Sequence, residues 1–247
     1  MINVLLLGGT TEASQTARHL SDAGIAGVFS YAGRTAAPVG QPLPVRVGGF
    51  GGVDGLAGYI RDHGISHVVD ATHPFAAQIS ANAVAACRVT GTPLVAVQRP
   101  EWRAGPGDDW CHVPDIAGAV DALPDRSARV FLAIGRQNLA PFAARGHHYL
   151  LRLVDAPDVS PLPDCHIDIA RGPFTVAGDR DLMQRHGITH LVAKNAGGTG
   201  AVAKLTAARD LGVRVVMIDR PFIPPRPVVD DPGAVIAWLH QSARRGV

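Results

Sequence analysis

Five residues, Gly8-Gly9-Thr10-Thr11-Glu12, stand between the apolar run Ile2-Asn3-Val4-Leu5-Leu6-Leu7 and a helical stretch from Ala13 to Ala23. A glycine turn between a buried strand and a helix lets backbone N–H groups approach a phosphate, with the positive end of the helix dipole behind them. Thr10 and Ala13 occupy the later glycine positions of the Gly-x-Gly-x-x-Gly fingerprint, so the match is incomplete and a tight turn without a ligand is the plainer alternative. Its place after the first strand favours nucleotide binding. The second apolar run leads into Ser30, Tyr31, Gly33 and Arg34, with no acid to take a ribose 2′-hydroxyl. A guanidinium and a hydroxyl suit a 2′-phosphate instead, although Arg34 also reads as a solvated surface arginine. Together these residues lead us to expect NADP rather than NAD.

Two further loops lie at expected C-terminal strand ends, where an open α/β sheet binds its ligands. Gly48-Gly49-Phe50-Gly51 is one, and Asp70-Ala71-Thr72-His73-Pro74-Phe75 is the other. Pro74 suits a first helical position, with His73 or Thr72 as the cap. Asp70 and His73 are candidate general acids. The alternative has Asp70 holding backbone N–H groups and His73 acting only as a cap.

The only two lysines, Lys194 and Lys204, flank Asn195-Ala196-Gly197-Gly198-Thr199-Gly200. Arg136 is expected at the end of a preceding strand. A glycine loop among cations suits a polyanion, against the simpler reading of a helix entry with solvated lysines.

These loops need strands and helices to hold them, and the chain writes one such unit twice. His63-Gly64-Ile65-Ser66-His67-Val68-Val69-Asp70 opens a stretch that closes at Arg99-Pro100, and His186-Gly187-Ile188-Thr189-His190-Leu191-Val192 opens one that closes at Arg220-Pro221. Each contains a short apolar run, a polar loop, an Ala-rich helical stretch and a second apolar run, which is one β-α-β unit. Further strands are expected near 27–31, 43–47 and 130–136, with a short helix near 116–123 and a closing helix near 233–244. Ile167-Asp168-Ile169 before Arg171-Gly172-Pro173-Phe174 echoes Val45-Arg46-Val47 before Gly48-Gly49-Phe50. The expected architecture is α/β: two Rossmann-like parallel-sheet halves related by an internal repeat, with a cleft between them. The break is placed at residues 124–128, giving halves of 1–125 and 126–247. The partners of the linking and terminal strands are left open.

At 247 residues, 47% hydrophobic and 18% charged, the chain has a globular composition. A net charge of +2 argues against a broad nucleic-acid surface. Cys87, Cys111 and Cys165 form neither a disulfide framework nor a metal spacing, and no run is long enough to span a membrane. A cytoplasmic protein without a metal is expected. A short-chain dehydrogenase is a poor fit, since it needs Tyr-x-x-x-Lys and Tyr31, Tyr59 and Tyr149 are followed at that spacing by Thr35, His63 and Leu153.

The chain resembles the precorrin-6A reductases of cobalamin biosynthesis along nearly its whole length. The resemblance rests on Leu5-Leu6-Leu7-Gly8-Gly9-Thr10-Thr11-Glu12, Gly48-Gly49-Phe50-Gly51-Gly52, Val69-Asp70-Ala71-Thr72-His73-Pro74-Phe75-Ala76, Arg99-Pro100-Glu101-Trp102 and Lys194-Asn195-Ala196-Gly197-Gly198. The Asp-Ala-Thr-His-Pro-Phe-Ala run is the most specific. It implies NADPH-dependent reduction of a double bond in the precorrin-6A macrocycle, or in its cobalt-containing equivalent, to give precorrin-6B. The first half, with Thr72 and His73, then binds the cofactor. Arg99, Arg136, Lys194, Asn195, Gly197, Gly198 and Lys204 are expected to hold the carboxylate-rich tetrapyrrole. The catalytic candidates are Lys194, His73 and Asp70, and the proton donor is left among His73, Lys194 and water. Neighbouring enzymes of the pathway are candidate contacts, and oligomeric state is left open. The alternative from another class is a non-catalytic NADP-sensing protein.

Overall fold

Runs of apolar residues without polar alternation form strands buried on both faces. In this computed structural model, which describes residues 1–33 and 39–245, Val4 to Leu7 of β1 (Asn3–Leu7) are almost fully buried. The first unit continues through α1 (Thr11–Asp22), β2 (Ala26–Tyr31), β3 (Val45–Val47), α2 (Val53–Asp62), β4 (His67–Asp70), α3 (Ala77–Thr90) and β5 (Leu94–Val97). The second holds β6 (Trp110–Val113), α4 (Ile116–Asp121), β7 (Arg129–Ala133), β8 (His148–Leu153), β9 (Cys165–Ile169), α5 (Val176–Arg185), β10 (His190–Lys194), α6 (Ala203–Leu211) and β11 (Arg214–Ile218). The chain then returns to the first unit with β12 (Val228–Val229) and α7 (Ala234–Arg245).

Each unit carries a six-stranded parallel sheet, ordered β12-β5-β4-β1-β2-β3 in the first and β6-β11-β10-β7-β8-β9 in the second. The two orders match strand for strand, as the repeat predicts. In the first sheet, Val4, Leu6, Phe29, Val69 and Val95 pack on one face with Ala13, Ala17 and Leu20 of α1 and Val235 and Leu239 of α7. Leu5, Leu7, Val68 and Leu94 pack on the other face with α2 and α3. In the second sheet, Phe131, Leu150, Leu191, Val215 and Met217 meet α5 and α6, while α4 packs beside β6 and β11.

The division differs from the expected halves. The units are residues 1–100 with 222–247, and residues 101–221. Val215 to Ile218 pair with Trp110 to Val113, which places the segment before residue 126 in the second unit. Val228 and Val229 pair with Ala96 and Val97, which returns the C-terminal segment to the first. A run of four or two residues does not reveal its partner, because register is decided by a sheet edge distant in sequence.

The repeated His-Gly-Ile-x-His motif closes a helix and opens a strand. His63 and His186 cap the C-termini of α2 and α5, and Gly64 and Gly187 follow with φ of +58° and +57°. Glycine adopts that left-handed conformation without the Cβ penalty. Ile65 and Ile188 are buried next to the turns. Ser66 Oγ donates to Asn3 O at 3.1 Å and lies 2.9 Å from His67 Nδ1; Thr189 Oγ1 donates to Arg129 O at 3.2 Å and lies 2.9 Å from His190 Nδ1. The motif's chemistry is therefore that of a structural joint. Burial holds both His67 and His190 below the usual imidazole range, with the Arg214 charge adding to the effect at His190.

Candidate functional site

The turn after β1 is shaped by two glycines for different reasons. A Cβ on Gly8 would overlap the Phe29 ring, and Gly8 N donates to Ser30 O at 3.0 Å, so the chain is held close against β2. Gly9 has φ of +120° with open space where a Cβ would stand. Glycine at that position leaves the backbone open to close approach. Thr10 is the N-cap of α1: its Oγ1 accepts from Ala13 N at 3.0 Å and donates to Ala71 O at 2.8 Å. The same hydroxyl thus caps the helix and ties it to the end of β4. Glu12 in the first turn lies 2.7 Å from Arg99 Nη1, each side chain 19% exposed. Burial would raise the Glu12 carboxyl, but the Arg99 hydrogen bond, its own backbone N–H and the Arg99 charge outweigh this and hold it below its usual value. Arg99, expected on the substrate, is thereby brought to the glycine turn after β1.

At the ends of β2 and β3 the Ser30 hydroxyl is buried and accepts from Arg46 Nη1 at 2.8 Å. Arg46 also donates to Gly48 O at 2.8 Å and Gly49 O at 3.0 Å, and its guanidinium lies 3.8 Å from the Phe50 ring centroid. Gly48 and Gly51 have φ of +123° and +79°, and neither would place a Cβ against protein atoms. Tyr31 OH donates to Val39 O at 2.8 Å and lies 2.6 Å from Gln41 Nε2. Gly33 follows at φ +78°. Arg34 and Thr35 lie outside the described residues. Arg46 was not among the expected site residues; its signal is a lone guanidinium in a three-residue strand directly before glycines.

The loop after β4 separates its two candidate acids. Asp70 is 2% exposed; Oδ1 accepts from Thr72 N at 3.2 Å and Thr72 Oγ1 at 2.7 Å, and Oδ2 lies 3.4 Å from Arg226 Nη2. Oδ1 is held by Thr72, as in the alternative reading, while buried Oδ2 faces the Arg226 guanidinium without a hydrogen bond. His73 is exposed, and its Nδ1 accepts from Phe75 N at 3.2 Å, leaving Nε2 to carry the proton of the neutral ring. The expected cap is corrected: α3 begins at Ala77 with Ala76 as N-cap and no side-chain bond, because Pro74 and Phe75 form a separate turn first. Thr72 bonds to Asp70 and sits 3.3 Å from Ser80 Oγ.

The second glycine loop is clamped from below. Lys194 ends β10, half-buried, and Asn195 is 2% exposed. Asn195 Oδ1 accepts from Trp102 N at 2.8 Å, and its Nδ2 donates to Trp102 O at 3.1 Å. Trp102 Nε1 donates to Gly198 O at 2.7 Å, and Arg220 donates to Asn195 O at 3.0 Å and Ala196 O at 3.2 Å. Gly197 and Gly198 carry φ of +72° and +73°. Lys204 differs from its expected place among the outward cations: it is 7% exposed, donates to Ala201 O at 2.6 Å and lies 5.0 Å from the Trp102 ring centroid. From the first turn of α6 its ammonium turns back onto the preceding Ala201 carbonyl. Arg136 is exposed at the end of β7, after Gly135 at φ +80°. Trp102 and Arg220 hold the loop and were not expected among the site residues; their bonds join residues far apart in sequence. Among the described residues no group of three His, Cys, Asp or Glu side chains is placed to hold a metal ion, and no helix is long and apolar enough to cross a membrane.

Residues 3–240 match the family described as "Precorrin-6x reductase CbiJ/CobK". The chain is 61% identical over 251 residues to a precorrin-6A reductase of Rhodobacter capsulatus, covering 100% of each, and 48% identical to one of Rhodococcus erythropolis, covering 99% of this chain and 100% of that one. Cobalt-precorrin-6A reductase of Priestia megaterium is 30% identical over 89% of this chain and 91% of its own. A solved structure titled CobK precorrin-6A reductase superposes with a TM-score of 0.93 at 60% identity, covering 98% of this chain and 97% of that one. The strand-for-strand α/β architecture, the glycine turns and the Asp70–His73 loop are thus those of a chain that belongs to the precorrin-6x reductase family.

Proposed function

We propose that the chain reduces a double bond in the precorrin-6A macrocycle to give precorrin-6B in cobalamin biosynthesis, with NADPH as reductant. The observation that carries this reading is the Gly8–Gly9 turn at the head of α1 in a chain 61% identical to a precorrin-6A reductase. NADPH bound in the first unit supplies a hydride equivalent. Gly9 and the first turn of α1 hold the pyrophosphate, while Arg99 offsets the Glu12 charge that would otherwise repel it. Gly48, Gly49, Phe50, Gly51, Thr72 and His73 border the same strand ends and orient the rest of the dinucleotide.

Arg136 and Lys194 are the cations of the second unit that we assign to the tetrapyrrole carboxylates, and Gly197 and Gly198 allow a ring substituent to approach the backbone. Asn195 and Lys204 position that loop from beneath. The substrate gains one hydride and one proton across the bond. His73, the Lys194 ammonium and water are the alternatives for delivering the proton, while buried Asp70 fixes Thr72 ahead of His73. Alignment is the larger part of the task, because the conjugated macrocycle itself spreads the developing charge.

The test is anaerobic turnover of purified protein with precorrin-6A and NADPH, following NADPH absorbance and product mass together. Loss of NADPH with a product two mass units heavier is expected. Tight NADPH binding without turnover would replace this reading with that of a non-catalytic sensor.

A further inference from the structure

Arg46 and Arg152 occupy corresponding corners of the two sheets but face opposite electrostatic surroundings. Ser30 of β2 is the register partner of Arg46 on β3, and Arg152 of β8 is the register partner of Asp168 on β9. Because β2 matches β8 and β3 matches β9 in the two strand orders, Ser30 corresponds to Arg152 and Arg46 to Asp168.

Arg152 is neutralised from within. Its Nε lies 2.9 Å from Asp168 Oδ2 and its Nη1 lies 2.7 Å from Asp179 Oδ1, with the guanidinium against the Phe174 ring. Two carboxylates on one cation leave that corner with no surplus positive charge and make a phosphate unwelcome. Among the described residues Arg46 donates to neutral acceptors alone: Ser30 Oγ, Gly48 O and Gly49 O. Among the described residues no carboxylate lies within ion-pair distance of it. Three bonds and the Phe50 face fix the guanidinium plane, so little side-chain entropy remains to be lost on binding an anion. Ser30 Oγ accepts from Arg46 and keeps its own O–H to donate.

This corner sits at the C-terminal end of the strand next to β1, where a doubly wound sheet places the adenosine ribose. We propose that Arg46, with Ser30 as a second donor, reads the 2′-phosphate of the dinucleotide, and that the Asp168–Arg152–Asp179 cluster bars the same group from the second unit. The inference rests on the assignment of a dinucleotide to the first unit.

Dissociation constants of NADPH, NADH and 2′,5′-ADP are to be measured by calorimetry on the full chain and on Arg46→Gln, Arg46→Lys and Ser30→Asp, each checked for folding by circular dichroism. Arg46→Gln is expected to weaken NADPH and 2′,5′-ADP by about 10- to 150-fold, the scale of one charge-assisted hydrogen bond, and to leave NADH nearly unchanged. Arg46→Lys keeps the charge and should lose less. Ser30→Asp gives Arg46 the carboxylate that Arg152 has, and should turn the preference toward NADH. Equal losses of NADPH and NADH would reduce Arg46 to a loop-holding residue and overturn the proposal. A preserved NADPH preference in folded Arg46→Gln would also overturn it, leaving the dinucleotide assignment intact. A wild-type protein that binds neither cofactor would overturn both.

Discussion

Arg99 Nη1 stands 2.7 Å from Glu12 Oε2, tying the segment after β5 to the first turn of α1. A carboxylate there is favourable to the helix dipole but opposes a phosphate arriving at the same end. The ion pair reconciles the two demands.

Glu12→Gln should therefore destabilise the protein near neutral pH but not in acid. The folded Glu12 carboxyl is held below its ordinary value of 4.5, so its stabilisation is present above that pH and lost as the pH falls through the lower folded value. Urea titrations of both proteins from pH 7 down to pH 3 would check this. The difference in unfolding free energy should shrink below about pH 4.5; a constant difference would show that the pair contributes through packing alone.

The two glycines of the first turn should fail differently. Gly8→Ala must move the Phe29 ring and is expected to cost about 1–3 kcal/mol of stability. Gly9→Ala meets no neighbour but forces alanine to φ +120°, costing about 1–3 kcal/mol and disturbing the backbone we assign to the pyrophosphate. Paired melting curves and NADPH titrations would separate them. Gly9→Ala should lose more NADPH affinity than Gly8→Ala for the same loss of stability.

Much of the site was legible before the structure because its signals are local. Gly8-Gly9-Thr10 after a buried run can only be a tight strand-to-helix turn, and the structure adds that Thr10 caps it. The repeat announced two matched sheets, although His63 and His186 proved to be helix-end joints. What could not be read was nonlocal: β6 and β12 take partners across long stretches of chain, and the Trp102–Asn195 bonds depend on tertiary placement. Lys204 illustrates the same limit, since lysine types and spacing do not reveal which cation folds under a loop.

Asn195→Ala removes a two-bond clamp on Trp102 and leaves its half-buried backbone groups unsatisfied. We expect a loss of about 1–3 kcal/mol for the unpaired groups, read as a lower urea midpoint. NADPH affinity should remain, since the clamp belongs to the second unit. Loss of NADPH binding in a folded variant would contradict the division of roles.

Lys194→Ala should leave NADPH binding intact and lower kcat/KM for precorrin-6A by about 10- to 150-fold, the loss of one charged contact. A rise in KM alone would assign Lys194 to anchoring, and a fall in kcat to proton delivery. Lys194→Arg separates them further, because arginine keeps the charge but is a poor acid. If NADPH binding disappears while tetrapyrrole binding survives, the assignment of Lys194 to the substrate fails.

The most direct test is to trace the transferred hydrogen. Single turnover of precorrin-6A with NADPH deuterated at the nicotinamide C4 position, in ordinary water, is predicted to place one cofactor deuterium on a macrocycle carbon when the labelled face is the transferred one. The converse experiment, unlabelled NADPH in heavy water, should place the second hydrogen from solvent through the protein's acid. Product containing no cofactor-derived deuterium with either C4 epimer would contradict hydride transfer from NADPH to the tetrapyrrole.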